Sequence, residues 1–137
     1  MIKTRNGLSL FLISLVLGLA ILACGTGYRT TSTSSGNSGD VRVRMNEADG
    51  TDTTSVELNE DFFHERVAVT ATLSVESGSC LATLTGDDGT VISLNAAAGS
   101  PVEVYGDLVT DGFGEVNLVT DAQGATNVDL FLQFTLK

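Results

Sequence analysis

The sequence predicts an all-β fold over residues 41–137, an antiparallel β-sandwich of about seven or eight strands whose order is either jelly-roll or immunoglobulin-like. Three observations predict it. Apolar residues recur at every second position through nearly all of this stretch, the period of a strand with one buried face. Turn residues interrupt the pattern at the roughly 8–12-residue spacing of all-β domains. Apolar residues at helical spacing are almost absent. Of 137 residues 42% are hydrophobic and 18% charged, enough to bury one core and too few charges for a disordered chain, and the length argues against a two-domain enzyme.

The chain opens with Lys3 and Arg5, then an uncharged run from Leu8 to Ala23 followed by Cys24. Cations, an apolar stretch and small residues are the pattern of a secretory signal over residues 1–23. As a helix the 16-residue run would rise about 24 Å, short of a hydrocarbon core of about 30 Å, so a permanent span is disfavoured. The segment Ile21-Leu22-Ala23-Cys24-Gly25 resembles the lipobox of bacterial lipoproteins. That resemblance implies acylation of the Cys24 thiol, cleavage before it and a lipid anchor outside the cytoplasm. With Gly25 rather than Asp after the cysteine, it further implies the outer membrane where the host has one.

Residues 24–40 follow as the acylated cysteine and a Ser/Thr/Gly-rich stretch, GTGYRTTSTSSGNSGD, with 8 Ser/Thr in the 16 positions after Cys24 and no aliphatic residue to bury. This composition predicts a flexible, disordered linker spanning about 20–24 Å as a coil. Removal of residues 1–23 leaves 5 cations against 17 acids, a side-chain charge of −12. Such a surface excludes nucleic acid as a partner and is repelled by anionic lipid, so the domain should stand off the bilayer.

Within the folded part, Val67, Val69, Ala71, Leu73 and Val75 alternate with polar or small residues as one long strand. Val128, Leu130, Leu132, Phe134 and Leu136 form a second that ends the chain. Shorter runs are Val41–Met45, Val56–Leu58, Leu81–Thr85, Thr90–Asn95, Val102–Tyr105 and Val116–Thr120. Gly86-Asp87-Asp88-Gly89 reads as a tight hairpin turn, and Gly78-Ser79, Gly99-Ser100-Pro101, Asp111-Gly112-Phe113-Gly114 and Gln123-Gly124 as further breaks. Glu60–Arg66 has no period and reads as a helical turn or an irregular crossover.

Few residues carry chemistry. With Cys24 assigned to lipid, Cys80 has no intramolecular partner and reads as a buried apolar residue on the Cys80/Ala82/Leu84 face rather than a reactive thiol. His64, the single histidine, reads as a solvated turn residue. No nucleophile, zinc or phosphate-loop motif accompanies it, so no catalytic residue and no cofactor are expected. Asp87, Asp88, Asp107, Asp111 and Glu115 offer the hard oxygen ligands calcium takes, but Asp in tight turns is explained first by backbone chemistry. Phe113 lies in a loop between two glycines and Phe131 is out of phase on the polar face of the last strand, both weak candidates for binding. The simpler expectation is that Phe113 caps the core and Phe131 meets the Phe62-Phe63 crossover.

Anchor, linker and acidic sandwich together indicate a non-enzymatic envelope lipoprotein that displays a binding or structural module to a partner protein or extracellular polymer. The alternatives are a carbohydrate- or calcium-dependent binding module and, third, a hydrolase using His64. The terminal strand Val128–Leu136 is either central in a sheet or at an edge, where it would recruit a partner strand.

Overall fold

In a computed structural model the described residues are 28–137, all strand and connection. The leader and Cys24 lie outside them. The strands are β1 (Tyr28–Ser35), β2 (Ser38–Glu57), β3 (Arg66–Ser74), β4 (Ser77–Thr85), β5 (Val91–Ala97), β6 (Val102–Val109) and β7 (Glu115–Leu136), every pairing antiparallel.

The predicted all-β antiparallel sandwich is what forms, and its pairing settles the strand order. β2 and β7 pair along almost their whole length, from Ser38↔Thr135 to Glu57↔Glu115. The first half of β2 and the last half of β7 share a layer with β3 and β6, in the order β1-β2-β7-β3-β6. The other halves share a second layer with β4 and β5. One long ribbon bent across both layers, with the β3–β6 and β4–β5 pairs beside it, is a jelly roll and not an immunoglobulin order. Two runs expected as separate strands, Val116–Thr120 and Val128–Leu136, are therefore halves of one strand, as are Val41–Met45 and Val56.

The bend is a line of irregularities at one level. Register shifts occur between Ala48 and Gly50 of β2 and between Ser77 and Ser79 of β4, and Gly50, Gly78, Gly124 and Asn127 all have positive φ. Bulges of this kind carry strands around a sandwich corner. Gly78-Ser79 and Gln123-Gly124, expected as turns, are thus corner bulges inside continuous strands. Gly78 must be glycine: a Cβ there would lie 2.3 Å from the Gly124 carbonyl oxygen. Asp49 Oδ1 ties the two long strands by accepting from Gly124 N at 3.0 Å.

Residues 28–40 correct the expected linker. Ser/Thr density without aliphatics reads as coil, but β1 pairs residue for residue with β2 from Tyr28↔Met45 to Ser35↔Ser38. Threonine suits a strand, and an edge strand with no apolar face is stable once its backbone is bonded to a neighbour that is itself core-packed. The core holds the alternating sets read from sequence, Val67 to Leu73, Cys80 to Leu84 and Val128 to Phe134, all buried. Val128–Leu136 is central, between β2 and β3, so it offers no edge to a partner.

Both layers converge at the end opposite the corner, which we term the tip. It comprises the Ser35–Ser38 turn, the irregular connection 58–65, the β4–β5 turn and the 110–114 loop.

Candidate functional site

A broad polar surface is the outward face of the β1-β2-β7-β3-β6 layer. Antiparallel register puts directly opposed residues on the same side, so this face can be read in rows across the sheet. One row is Thr33, Asp40, Gln133, Thr70 and Tyr105; beside it run Ser35, Ser38, Thr135, Ala68 and Asp107 on one side and Thr31, Arg42, Phe131, Thr72 and Glu103 on the other. Small residues at Ser38, Thr135 and Ala68 leave a depression of about 590 Å³, walled by Asp40, Thr70, Gln133, Asp107 and Tyr105.

Tyr105 stands at its rim, 73% exposed. Its hydroxyl donates to Glu103 Oε1 at 2.8 Å, a bond that with the Glu103 charge pushes the phenol above its ordinary range and keeps it neutral. The bond runs along β6, between side chains two residues apart on its outward face. Asp40 accepts from Thr33 Oγ1 at 2.5 Å, and Thr72 Oγ1 donates to the other Glu103 oxygen at 3.4 Å. The arrangement gives one aromatic face, an amide and fixed carboxylates in a shallow groove, the equipment for holding a hydroxyl-rich chain.

Phe131 lies in the next row but is covered. The Arg42 guanidinium sits 4.7 Å above its ring, and Arg42 is in turn held 3.3 Å from Asp129. The expected contact between Phe131 and Phe62-Phe63 does not form; Phe134, on the inward side, meets Phe62 edge-on at 5.9 Å. Phe62 is buried and supplies the end cap of the core, and Phe113, expected in that role, is 75% exposed.

Four of the five carboxylates weighed as calcium ligands, Asp87, Asp88, Asp107 and Asp111, are engaged by internal partners, and Glu115, half-buried at the start of β7, donates its backbone amide to Asp111. Asp88 accepts from Thr90 Oγ1 at 2.7 Å and Thr90 N at 3.1 Å, which lowers its pKa, with Arg66 a lesser cause. Asp87 faces His64 Nδ1 at 3.1 Å. Asp107 is paired with Lys137 at 2.9 Å and Arg66 at 3.8 Å. Asp111 Oδ1 accepts from the amides of Phe113 and Glu115. Among the described residues no three His, Cys, Asp or Glu side chains are grouped to hold a metal ion.

His64 and Cys80 are not brought together. Cys80 is in the core between Ala96 and Ala122, near the corner, with its thiol pushed up by burial and then by Asp121; His64 is exposed at the tip. Of the groove, sequence reasoning missed Asp40, Thr70, Tyr105 and Gln133 as a group. Thr70 and Gln133 sit at polar positions of the two clearest alternating runs, the one signal available, but their adjacency depends on β3 pairing β7.

The fold is an antiparallel β-sandwich of jelly-roll type, with a shallow polar groove on one outer face. No family model and no curated protein matches the chain. Solved structures similar to it include oxalate oxidase in complex with glycolate, at 16% identity over 81% of this chain and 52% of that one, TM-score 0.44. Others are the CBM22-1 xylan-binding domain from Paenibacillus barcinonensis Xyn10C, at 13% over 80% and 81%, TM-score 0.41, and a CBM4 domain, at 8% over 82% and 79%, TM-score 0.36. This chain spans about half the length of the oxalate oxidase chains.

Proposed function

We propose that the protein is a lipid-anchored envelope protein whose jelly-roll domain binds a neutral, hydroxyl-rich polymer, a glycan, in the groove beside Tyr105. The observation that carries this is the cross-strand row Asp40, Gln133, Thr70, Tyr105: an exposed aromatic ring in line with amide, hydroxyl and carboxylate groups fixed by sheet register. A ring of this kind takes the apolar face of a sugar while the polar groups take its hydroxyls. Neutrality follows from Asp40 and Glu103 beside the groove, which disfavour an anionic chain, Asp107 being paired with Lys137 and Arg66.

On this reading Cys24 carries the acyl chains and only residues 25–27 separate it from β1, a reach of about 14 Å from Cys24 to Tyr28. The domain is then held close to the bilayer by its corner end, with the groove running across its side. Full-length protein in neutral detergent, titrated calorimetrically with xylo-, cello- and chito-oligosaccharides, should release heat with at least one. Tyr105→Ala should then weaken that binding about tenfold without changing the melting temperature. No heat from any neutral glycan, or binding indifferent to Tyr105→Ala, would sink the groove reading. Mass spectrometry of the membrane-extracted protein checks the anchor separately, with an acylated Cys24 as the N-terminus expected.

A further inference from the structure

Phe63 and Phe113 are 65% and 75% exposed at the tip, yet neither rides on loose chain. His64 N donates to the Asp111 carbonyl at 3.1 Å and Leu58 N to the Gly114 carbonyl at 2.9 Å, joining the two loops. Thr110, fully buried, donates to the Phe62 carbonyl at 2.7 Å and accepts from Glu65 N at 3.0 Å. Asp111 Oδ1 fixes the Phe113 amide at 2.8 Å, and Phe63 packs edge-on against His64 at 4.5 Å. Two rigid loops thus hold two large rings out into water, a costly display for a structure that buries Phe62 one position away.

We propose that this tip docks a cationic segment of a partner protein, its Arg or Lys side chains lying over the Phe63 and Phe113 rings. Charge selects the occupant. Glu60, Asp61, Glu65 and Asp111 lie in the same two loops, with Asp87 and Asp88 in the adjoining turn, and the cations nearby, Arg66 and Lys137, are engaged with Asp88 and Asp107. A guanidinium over an aromatic face with carboxylates around it satisfies both features at once. A second copy of this chain would set the same acids face to face, and an anionic bilayer is repelled in the same way. The tip is also the end remote from Tyr28, the first described residue and the side on which the proposed anchor lies.

The test uses full-length protein in neutral detergent, titrated with a synthetic peptide of alternating Arg and Ser and with its Glu-for-Arg counterpart. The Arg peptide should bind, more weakly as salt rises, and the Glu peptide should not. The Phe63→Ser/Phe113→Ser variant should lose about tenfold in affinity, Phe113→Ser alone giving a smaller loss should the pair unfold. Asp49→Asn/Asp52→Asn, at the corner end, should change affinity less than about twofold, and so should Tyr105→Ala, which separates this surface from the groove. Absence of Arg-peptide binding, or binding that follows the corner acids and ignores the two rings, overturns the proposal. So does self-association, or adsorption to phosphatidylcholine vesicles, that needs the rings in a chain that ignores the peptide.

Discussion

Thr110 shows how a single buried hydroxyl orders an irregular connection. It is fully buried and satisfies one carbonyl and one amide of the irregular 58–65 connection. Thr110→Val keeps the shape and leaves both groups unpaired, so urea unfolding should show a loss of about 1–3 kcal/mol. Cys80 makes a second residue-scale prediction, on pH. Its thiol pKa is raised in the fold by burial and by Asp121. Below the unfolded thiol's value, about 8.5, both states hold the proton and nothing changes. Above it the unfolded chain loses that proton first, so the unfolded state binds fewer protons and stability falls as pH climbs toward the folded value. Cys80→Ala should lack that part of the alkaline slope; an identical slope in the variant refutes the assignment. Sequence placed Cys80 correctly because an alternating run fixes the face of each member. It misplaced Phe113 because two flanking glycines say nothing about which way a loop side chain turns, and the Phe62 backbone beside the core is held by Thr110, 48 residues away, a contact no local pattern reveals.

At the scale of elements, period two found every strand that packs on the core and failed where the core does not reach. β1 carries no buried side chain after the half-buried Tyr28 and was invisible as a strand; its order comes from the backbone of β2. The converse error was at the corner, where Gly78 and Gly124 read as chain reversals but mark bulges within strands that continue. Two glycines separate these roles experimentally. Gly36 has φ 62° in the β1–β2 turn with open space where a Cβ would go, whereas a Cβ at Gly78, φ 72°, would collide with the Gln123 and Gly124 carbonyl oxygens. Gly36→Ala should cost about 1–2 kcal/mol for the left-handed conformation alone. Gly78→Ala adds a backbone clash and should cost distinctly more, by thermal or urea unfolding; equal costs would mean that the corner yields easily.

For the whole molecule, the decisive fact is that β2 and β7 belong to both layers. Neither layer has a complete set of strands without them, since β3 and β6 reach the rest of the first layer only through the last half of β7, and β4 and β5 reach the second only through its first half. No sequence pattern revealed this, because the pairing of β2 with β7 joins residues at the two ends of the domain and is set by total packing rather than by any local run. The groove depends on the same long-range pairing: Asp40, Gln133 and Thr70 are neighbours only because β7 lies between β2 and β3. Such a ribbon predicts one cooperative unit. Leu132 is fully buried in β7, opposite Val41 and Ala71, and Leu132→Ala should cost about 2–5 kcal/mol, a large share of a total of about 5–15 kcal/mol. If the ribbon couples the layers, amide exchange should quicken in β4 and β5 by the same free energy as in β3 and β6, although no atom was removed from the second layer's half of the ribbon. Protection retained in β4 and β5 while β3 exchanges faster would show that the layers open separately and that the bent ribbon is a hinge.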